Sequence, residues 1–212
     1  MTPKTCWRLT ALLGTLAAAT ALSACAPLLL GGAIVGSSIV VTDRRTSGAQ
    51  VEDQSIELKG INRVHEAIGD RGSVSLTSYN RLVLITGAVP SEADKAAVEQ
   101  AIARIENVRS VVNELGVGAA SSIGGRSNDT LLTSKVKASM VDAKDVQVNA
   151  YKVVTERGIV YLMGRVTERE AGRAADIARG VSGVQKVVKV FEIVTEAELA
   201  ELQPKPAPPA KP

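Results

Sequence analysis

Aromatic residues, histidine and cysteine are scarce in this 212-residue sequence, and their scarcity excludes several kinds of site. The aromatic side chains are too few for the stacking platforms on which proteins bind bases or sugars. They are Trp7, Tyr79, Tyr151, Tyr161 and Phe191. His65 is the only histidine, and the cysteines are Cys6 and Cys25, so a His/Cys metal cluster or a histidine-based catalytic triad cannot form. The composition therefore predicts neither an enzyme nor a protein with a metal or cofactor.

The first 24 residues are predicted to be a lipoprotein signal peptide. Lys4 and Arg8 make its start positive, and residues 9–22 carry no charge over a run too short for a membrane span of about 20 residues. Leu-Ser-Ala-Cys at residues 22–25 then has the lipobox pattern of an aliphatic residue, two small residues and a cysteine. Cys25 is therefore predicted to begin the mature protein and to carry diacylglycerol on its sulfur. A buried free cysteine after an ordinary signal peptide is the alternative.

Residues 25–50 are predicted to anchor and tether the mature protein. Two or three acyl chains on Cys25, each contributing about 0.8 kcal/mol per buried CH₂, suffice for stable membrane attachment. Residues 27–41 are apolar but too short and too rich in glycine to span a bilayer. Ala26 follows the cysteine, as in lipoproteins that are sorted to the outer membrane. We therefore expect a lipid-anchored protein on the periplasmic face of that membrane.

An internal repeat occupies most of the remaining sequence. Residues 81–89, RLVLITGAV, align with residues 158–166, GIVYLMGRV, at a shift of 77 positions. Residues 107–112 align with residues 183–188 at a shift of 76, so the loops of the two copies differ slightly in length. The repeat therefore predicts two copies of one small domain.

The two copies set the predicted domain boundaries. The first domain is placed at residues 51–118 and the second at residues 126–194, and the Ala-, Ser- and Gly-rich residues 119–125 are predicted to form a flexible linker. Five prolines in the last ten residues predict a disordered tail over residues 195–212. Because a domain of this size buries only about 60% of its unfolded surface, we expect the two copies to pack into one body.

Each copy shows the same order of predicted elements. A helix comes first, and alternating residues then predict a strand at 74–77 and, at a shift of 72, at 146–149. An apolar strand, a helix and a final strand follow, and Thr167 with Glu170 has the spacing of a capping box. This order predicts an α+β fold in which two helices pack on a three-stranded mixed sheet. The helix positions predicted to face the core are Leu58, Ile61, Val64, Ile68, Leu132, Val136 and Met140.

These features together resemble the BON domain, which is named for bacterial osmotically induced and nodulation proteins. The second copy carries Ser-Asn-Asp-Thr at 127–130, Gly-Arg-Val-Thr-Glu-Arg-Glu at 164–170 and Val-Ser-Gly-Val at 181–184. Residues 43–50 resemble the stretch that precedes the first domain in the family. Two such domains behind a lipobox are similar to the division- and outer-membrane-stress-associated lipid-binding protein family. The resemblance implies two tandem BON domains with the αββαβ order.

The resemblance also implies a function. Members of this family help to maintain the outer-membrane barrier and associate with sites of cell division, without enzymatic activity. Their second domain binds anionic phospholipid, phosphatidylglycerol in particular, through its first helix. Some members carry a large aromatic residue near the start of that helix, where this chain has Leu131.

The charges of the two copies differ in sign. Residues 51–118 include seven basic and ten acidic residues, a net charge of −3, and residues 126–194 include twelve basic and eight acidic residues, a net charge of +4. Only the second copy therefore has the sign that favours an anionic membrane. The excess is modest and no groove-reading motif is present, so nucleic acid is not a predicted partner.

The predicted lipid-binding residues lie on the first helix of the second copy. They are Leu131, Lys135, Lys137, Val141 and Lys144. At 100° per residue they lie opposite the predicted core face of the helix or at its edge. Cations beside exposed apolar side chains suit shallow docking on an anionic bilayer. Two alternatives remain: a merely solvated helix face, or a surface that docks envelope assembly or cell-wall machinery while the anchor only sets the location.

Overall fold

The computed structural model describes residues 43–202, which belong to one compact unit. The predicted signal peptide, the predicted lipidation site at Cys25, the rest of the tether up to residue 42 and residues 203–212 lie outside this range.

The first domain consists of two helices and one mixed sheet. In chain order its elements are α1 (Ser47–Ile68), β1 (Ser73–Tyr79), β2 (Leu82–Val89), α2 (Glu92–Ala103), β3 (Ser110–Asn113) and β4 (Gly116–Val117). β1 pairs antiparallel with β2, whereas β3 and β4 both pair parallel with β2. β3 and β4 are therefore two pieces of the one final strand that the repeat predicts. Positive φ angles at Asn80 and Arg81 close the tight turn between β1 and β2.

The second domain repeats this order and adds a C-terminal helix. Its elements are α3 (Ile123–Asp142), a 3₁₀ turn (Val148–Ala150), β5 (Tyr151–Glu156), β6 (Ile159–Val166), α4 (Glu168–Arg179), β7 (Lys186–Ile193) and α5 (Glu196–Leu202). β5 is antiparallel and β7 parallel to β6. The predicted capping box is present at the start of α4, where the Thr167 amide donates to the Glu170 carboxylate at 3.0 Å. The predicted α+β fold with its αββαβ order is confirmed in both domains.

The two sheets lie face to face between two layers of helices. In β2, Val83, Ile85 and Val89 share a core with α1 and α2, whereas Leu84 belongs to a separate cluster that contains no helical residue. β6 divides its side chains in the same way between α3 with α4 and that cluster. The inter-sheet cluster consists of Tyr79, Leu84, Tyr161, Met163 and Val190. The expectation that the two copies pack into one body is therefore confirmed.

The predicted core face of α1 is partly wrong. Leu58 is 66% exposed and Ile61 is 60% exposed. A Cβ atom at Gly60 would lie only 2.4 Å from Leu76 Cδ1, so the helix packs closely on the sheet at a residue without a side chain. Apolar spacing misses this face because a glycine and an aspartate occupy two of its four buried positions. Those positions are Asp53, Ile56, Gly60 and Ile68.

The strand predicted at residues 146–149 is also wrong. Val146 and Val148 pack partly buried against the core, but they belong to the connection and the 3₁₀ turn that precede β5. β5 matches β1 at a shift near 77 rather than 72. Eight residues lie between the first helix and the first strand of the second domain, against four in the first domain, and the alternating valines lie in that longer connection.

Helices extend into both segments that were predicted to be flexible or disordered. α3 begins at Ile123, inside the predicted linker, and α5 occupies the start of the predicted tail. Thr195 caps α5, since its amide donates to the Glu198 carboxylate at 2.7 Å and its hydroxyl accepts from the Glu198 amide at 3.2 Å. Leu199 on α5 is buried. The spacing of Thr195 and Glu198 also indicates this second capping box in the sequence, although the proline-rich composition that follows predicts disorder.

Candidate functional site

α3 carries four of the five predicted lipid-binding residues. The helix begins after Ser122, whose hydroxyl accepts a hydrogen bond from the Gly125 amide at 3.1 Å. Its buried residues recur every three or four positions, so the rest of the helix faces outward. Leu132, Val136 and Met140 are buried as predicted, and Asp129 joins them on this face.

Polar contacts fix the rotation of α3 on the sheet. The Asp129 carboxylate accepts hydrogen bonds from the amides of Arg157 and Gly158, each at 2.8 Å, in the turn between β5 and β6. The Thr133 hydroxyl donates to the Thr155 hydroxyl of β5 at 2.7 Å. These bonds attach one side of α3 to the sheet, and the opposite side is thereby presented to solvent.

Three apolar side chains stand on the exposed side of α3. Leu131 is 60% exposed and Val141 is 61% exposed, in agreement with their prediction as surface residues. Ile123, which was assigned to the linker, is 77% exposed and extends this apolar line to the first residue of the helix. The glycine-rich sequence around Ile123 does not predict a helix, so sequence analysis misses this residue as part of the exposed face. The structure identifies it because the helix begins there.

Two of the predicted lysines flank this line of apolar residues. Lys135 and Lys137 are exposed and leave the helix on opposite sides of the outward face, about 160° apart at 100° per residue. Arg126 adds an exposed cation near the start of the helix. Between Ile123 and Val141 the only acidic residue of α3 is Asp129, which is buried. The outward face of α3 therefore combines apolar groups with cations and carries no exposed carboxylate over this length.

Lys144 does not belong to this face. α3 ends at Asp142, with Ala143 as its C-cap, so the helical angle predicted for Lys144 does not apply. Lys144 is exposed in the following turn, between Asp142 and Asp145. Arg173 lies 2.7 Å from the Asp145 carboxylate and lowers the pKa of that group by hydrogen bonding to it. The structure therefore brings together Leu131, Lys135, Lys137 and Val141 and leaves Lys144 beside two acidic residues.

The corresponding helix of the first domain provides a comparison. α1 also exposes large apolar side chains: Val51, Leu58 and Ile61. α3 carries one exposed carboxylate, Asp142 at its last position, whereas α1 carries exposed Glu66 and half-buried Glu52 and Glu57 beside Lys59 and Arg63. Apolar exposure thus does not separate the two helices, whereas the sign of the surrounding charge does.

The described residues offer little for other kinds of site. Within residues 43–202, no three His, Cys, Asp or Glu side chains come together as a metal site would require. His65 is exposed and lies 3.6 Å from Asp70 at the end of α1. No helix in the same range has the length and apolar character to cross a membrane.

Comparison with known proteins decides the family. The BON domain model matches residues 52–119 and residues 128–195, which correspond to the two αββαβ units. The chain belongs to the BON domain family. Its two BON domains therefore meet through their sheets, and α1 and α3 are the first helices of the first and second BON domains.

Three relatives show how far the similarity extends. Outer membrane lipoprotein DolP of Haemophilus influenzae is 39% identical over 173 residues, which cover 81% of this chain and 89% of that protein. The 21 kDa hemolysin of Actinobacillus pleuropneumoniae is 31% identical over 72% of this chain and 79% of its own length. Osmotically-inducible protein Y of Escherichia coli is 32% identical over 54% of this chain and 58% of its own length. The similarity to the first two is longer than either single domain, so it involves the pair.

Proposed function

We propose that this BON protein is lipid-anchored on the periplasmic face of the outer membrane and binds anionic phospholipid, phosphatidylglycerol in particular, through α3 of its second domain. The observation that carries the proposal is the outward face of α3, where exposed apolar side chains lie among cations without an exposed carboxylate from Ile123 to Val141.

The predicted lipobox and the relatives support the proposed location. The lipobox ends at Cys25, and the relative from H. influenzae is named an outer membrane lipoprotein. The family resemblance supports a role in outer-membrane integrity and an association with sites of cell division. In this proposal the anchor keeps the protein at the membrane, and α3 supplies a second, lipid-selective attachment.

The dimensions of α3 suit a helix that lies in the plane of the bilayer. Ile123 and Val141 are 18 positions apart, or about 27 Å along a helix. An interfacial helix buries its apolar face about 5–10 Å into the headgroup region. Lys135 and Lys137 flank that face and each contribute about 1 kcal/mol near an anionic surface. The first domain packs on the other side of the second sheet, so it does not obstruct this approach.

Vesicle co-sedimentation of the unlipidated chain of residues 26–212 tests lipid recognition. We expect binding to vesicles that contain phosphatidylglycerol, weakening as salt rises, and little binding to phosphatidylcholine vesicles. Leu131→Ser should weaken binding, whereas Leu58→Ser, which alters a similarly exposed leucine on α1, should not. Equal binding to both kinds of vesicle, or equal loss from both variants, contradicts the proposed role of α3.

A protein-interaction scaffold is the second candidate function. The exposed apolar side chains of α1 favour it, because they lie in the helix layer farthest from α3. In this candidate, envelope assembly or cell-wall machinery docks on the protein, and the lipid anchor only sets its location. Absence of any phosphatidylglycerol preference in the vesicle assay would favour this scaffold over lipid recognition.

A further inference from the structure

The three residues that precede Thr46, the N-cap of α1, lie against both domains. We call residues 43–45 the N-terminal strap. Arg44 is only 6% exposed, and its guanidinium donates to both oxygens of Glu170, each at 2.8 Å. It also donates to the backbone carbonyl of Arg165 at 2.9 Å and, at 3.4 Å, to the side chain of Gln147. All three partners of Arg44 belong to the second domain, although the first domain follows it in sequence.

The next residue faces the first domain instead. The Arg45 guanidinium lies 2.8 Å from the Asp43 carboxylate and 2.9 Å from that of Asp53 on α1. The same group lies 4.3 Å from the centre of the Tyr79 ring, a member of the inter-sheet cluster. Two adjacent arginines therefore attach one short segment to two different domains.

We propose that the N-terminal strap is a lock that couples the two BON domains into one cooperative unit. The inter-sheet cluster holds the domains together, but apolar contact has no preferred direction. A bidentate arginine–carboxylate pair does fix direction, since two parallel hydrogen bonds set the plane of both groups. The strap thus adds an angular restraint to the apolar layer, beside the direct ion pairs of Lys152 with Glu57 and of Arg109 with Glu192, each at 3.0 Å. This proposal concerns domain coupling and stands independently of lipid binding.

The two carboxylates that pair with the strap arginines also stabilise other parts of the fold. Glu170 is also the capping residue of α4, so Arg44 and the start of that helix share one carboxylate. Asp53 accepts from the Asn80 amide at 2.7 Å, and the Asn80 side chain donates to Glu192 of β7 at 2.6 Å. Loss of the strap contacts should therefore destabilise the first turn of α4 and the turn between β1 and β2.

Hydrogen exchange and thermal unfolding of the unlipidated chain of residues 26–212 test the proposed lock. In Arg44→Met, which keeps an unbranched apolar stem, we expect at least tenfold faster exchange at residues 168–171 and at the turn between β1 and β2. We also expect the original chain to unfold in one transition and Arg44→Met to unfold in two. Arg173→Met is the control for the loss of an arginine–carboxylate pair within one domain, because Arg173 pairs with Asp145 of the second domain, although that pair is exposed whereas the pair of Arg44 is buried. It should leave the first domain unchanged.

The opposite result is equally specific. Faster exchange confined to residues 43–47, with one unfolding transition retained, would overturn the proposal, and so would equal effects from Arg44→Met and Arg173→Met. If Arg44→Met does not fold, Glu170→Gln serves in the same measurements, since its amide can retain the cap while the charge is lost. Neither measurement involves lipid, so the result is separate from that of the vesicle assay.

Discussion

Asp53 and Asp129 occupy equivalent positions in the two domains and hold equivalent turns. Asp53 accepts hydrogen bonds from the amides of Asn80 and Arg81, each at 2.7 Å, just as Asp129 accepts from the turn between β5 and β6. Both aspartates are buried and lie on the first helix of their domain. Each domain thus fastens its first helix to its first hairpin with one carboxylate.

We predict that Asp129→Ala destabilises the protein by about 1–3 kcal/mol, because two turn amides lose their acceptor. Asp53→Ala should cost more, about 2–5 kcal/mol, because it also removes the acceptor of the buried Ser78 hydroxyl and one of the two carboxylates that face Arg45. Urea unfolding of the two variants measures both values. Asp129→Asn, which keeps one acceptor oxygen, should fall between Asp129→Ala and the original chain. A larger loss from Asp129→Ala than from Asp53→Ala would contradict this account.

The repeat explains why the fold could be predicted from the sequence. Its strongest signals are the nearly continuous apolar strands that became β2 and β6, which are central in their sheets and covered on both faces. The Thr167–Glu170 spacing then located the start of α4. Local chemistry decides these features, so a single sequence contains them.

Features that depend on distant partners could not be predicted in this way. Arg44 and Glu170 are 126 positions apart, and nothing in their local sequence links them. Gly60 and Asp53 mark the core face of α1 through close packing and hydrogen bonding, which apolar periodicity does not register. The predicted orientation of Lys144 is wrong because it requires the helix to continue to residue 144, whereas α3 ends at Asp142.

Acid should weaken the contact between Arg44 and Glu170. Hydrogen bonding from Arg44 is the main cause that lowers the pKa of Glu170 below its ordinary value of 4.5. A carboxylate with a lowered pKa in the folded state stabilises the protein fully above its unfolded pKa and loses that contribution as pH falls through the folded pKa. We therefore predict that the free energy of unfolding falls less steeply below pH 4.5 in Glu170→Gln than in the original chain. Parallel pH profiles in urea unfolding would contradict the assignment.

Cys25→Ala should abolish membrane anchoring in the cell. Residue 25 lies outside both predicted domains, which span residues 51–118 and 126–194, so the domains should still fold. Fractionation of the cell envelope measures the anchoring, and circular dichroism of the released protein checks the fold. Recovery of the variant in the outer-membrane fraction in the original amount would contradict the lipobox prediction.

The last prediction separates the two first helices by charge. Lys135 and Lys137 flank the outward face of α3, and reversal of both to Glu turns two attractions of about 1 kcal/mol each into repulsions. We therefore expect binding to phosphatidylglycerol vesicles at low salt to weaken by about 2–4 kcal/mol, with stability nearly unchanged because both side chains are exposed.

The matched reversal of Lys59 and Arg63 on α1 should have little effect, since carboxylates already surround them. Lys144→Glu should also have a smaller effect than either α3 lysine, because Lys144 lies between Asp142 and Asp145 beyond the helix end. Equal losses from the α1 and α3 reversals would mean that net charge, rather than the face of α3, governs membrane binding.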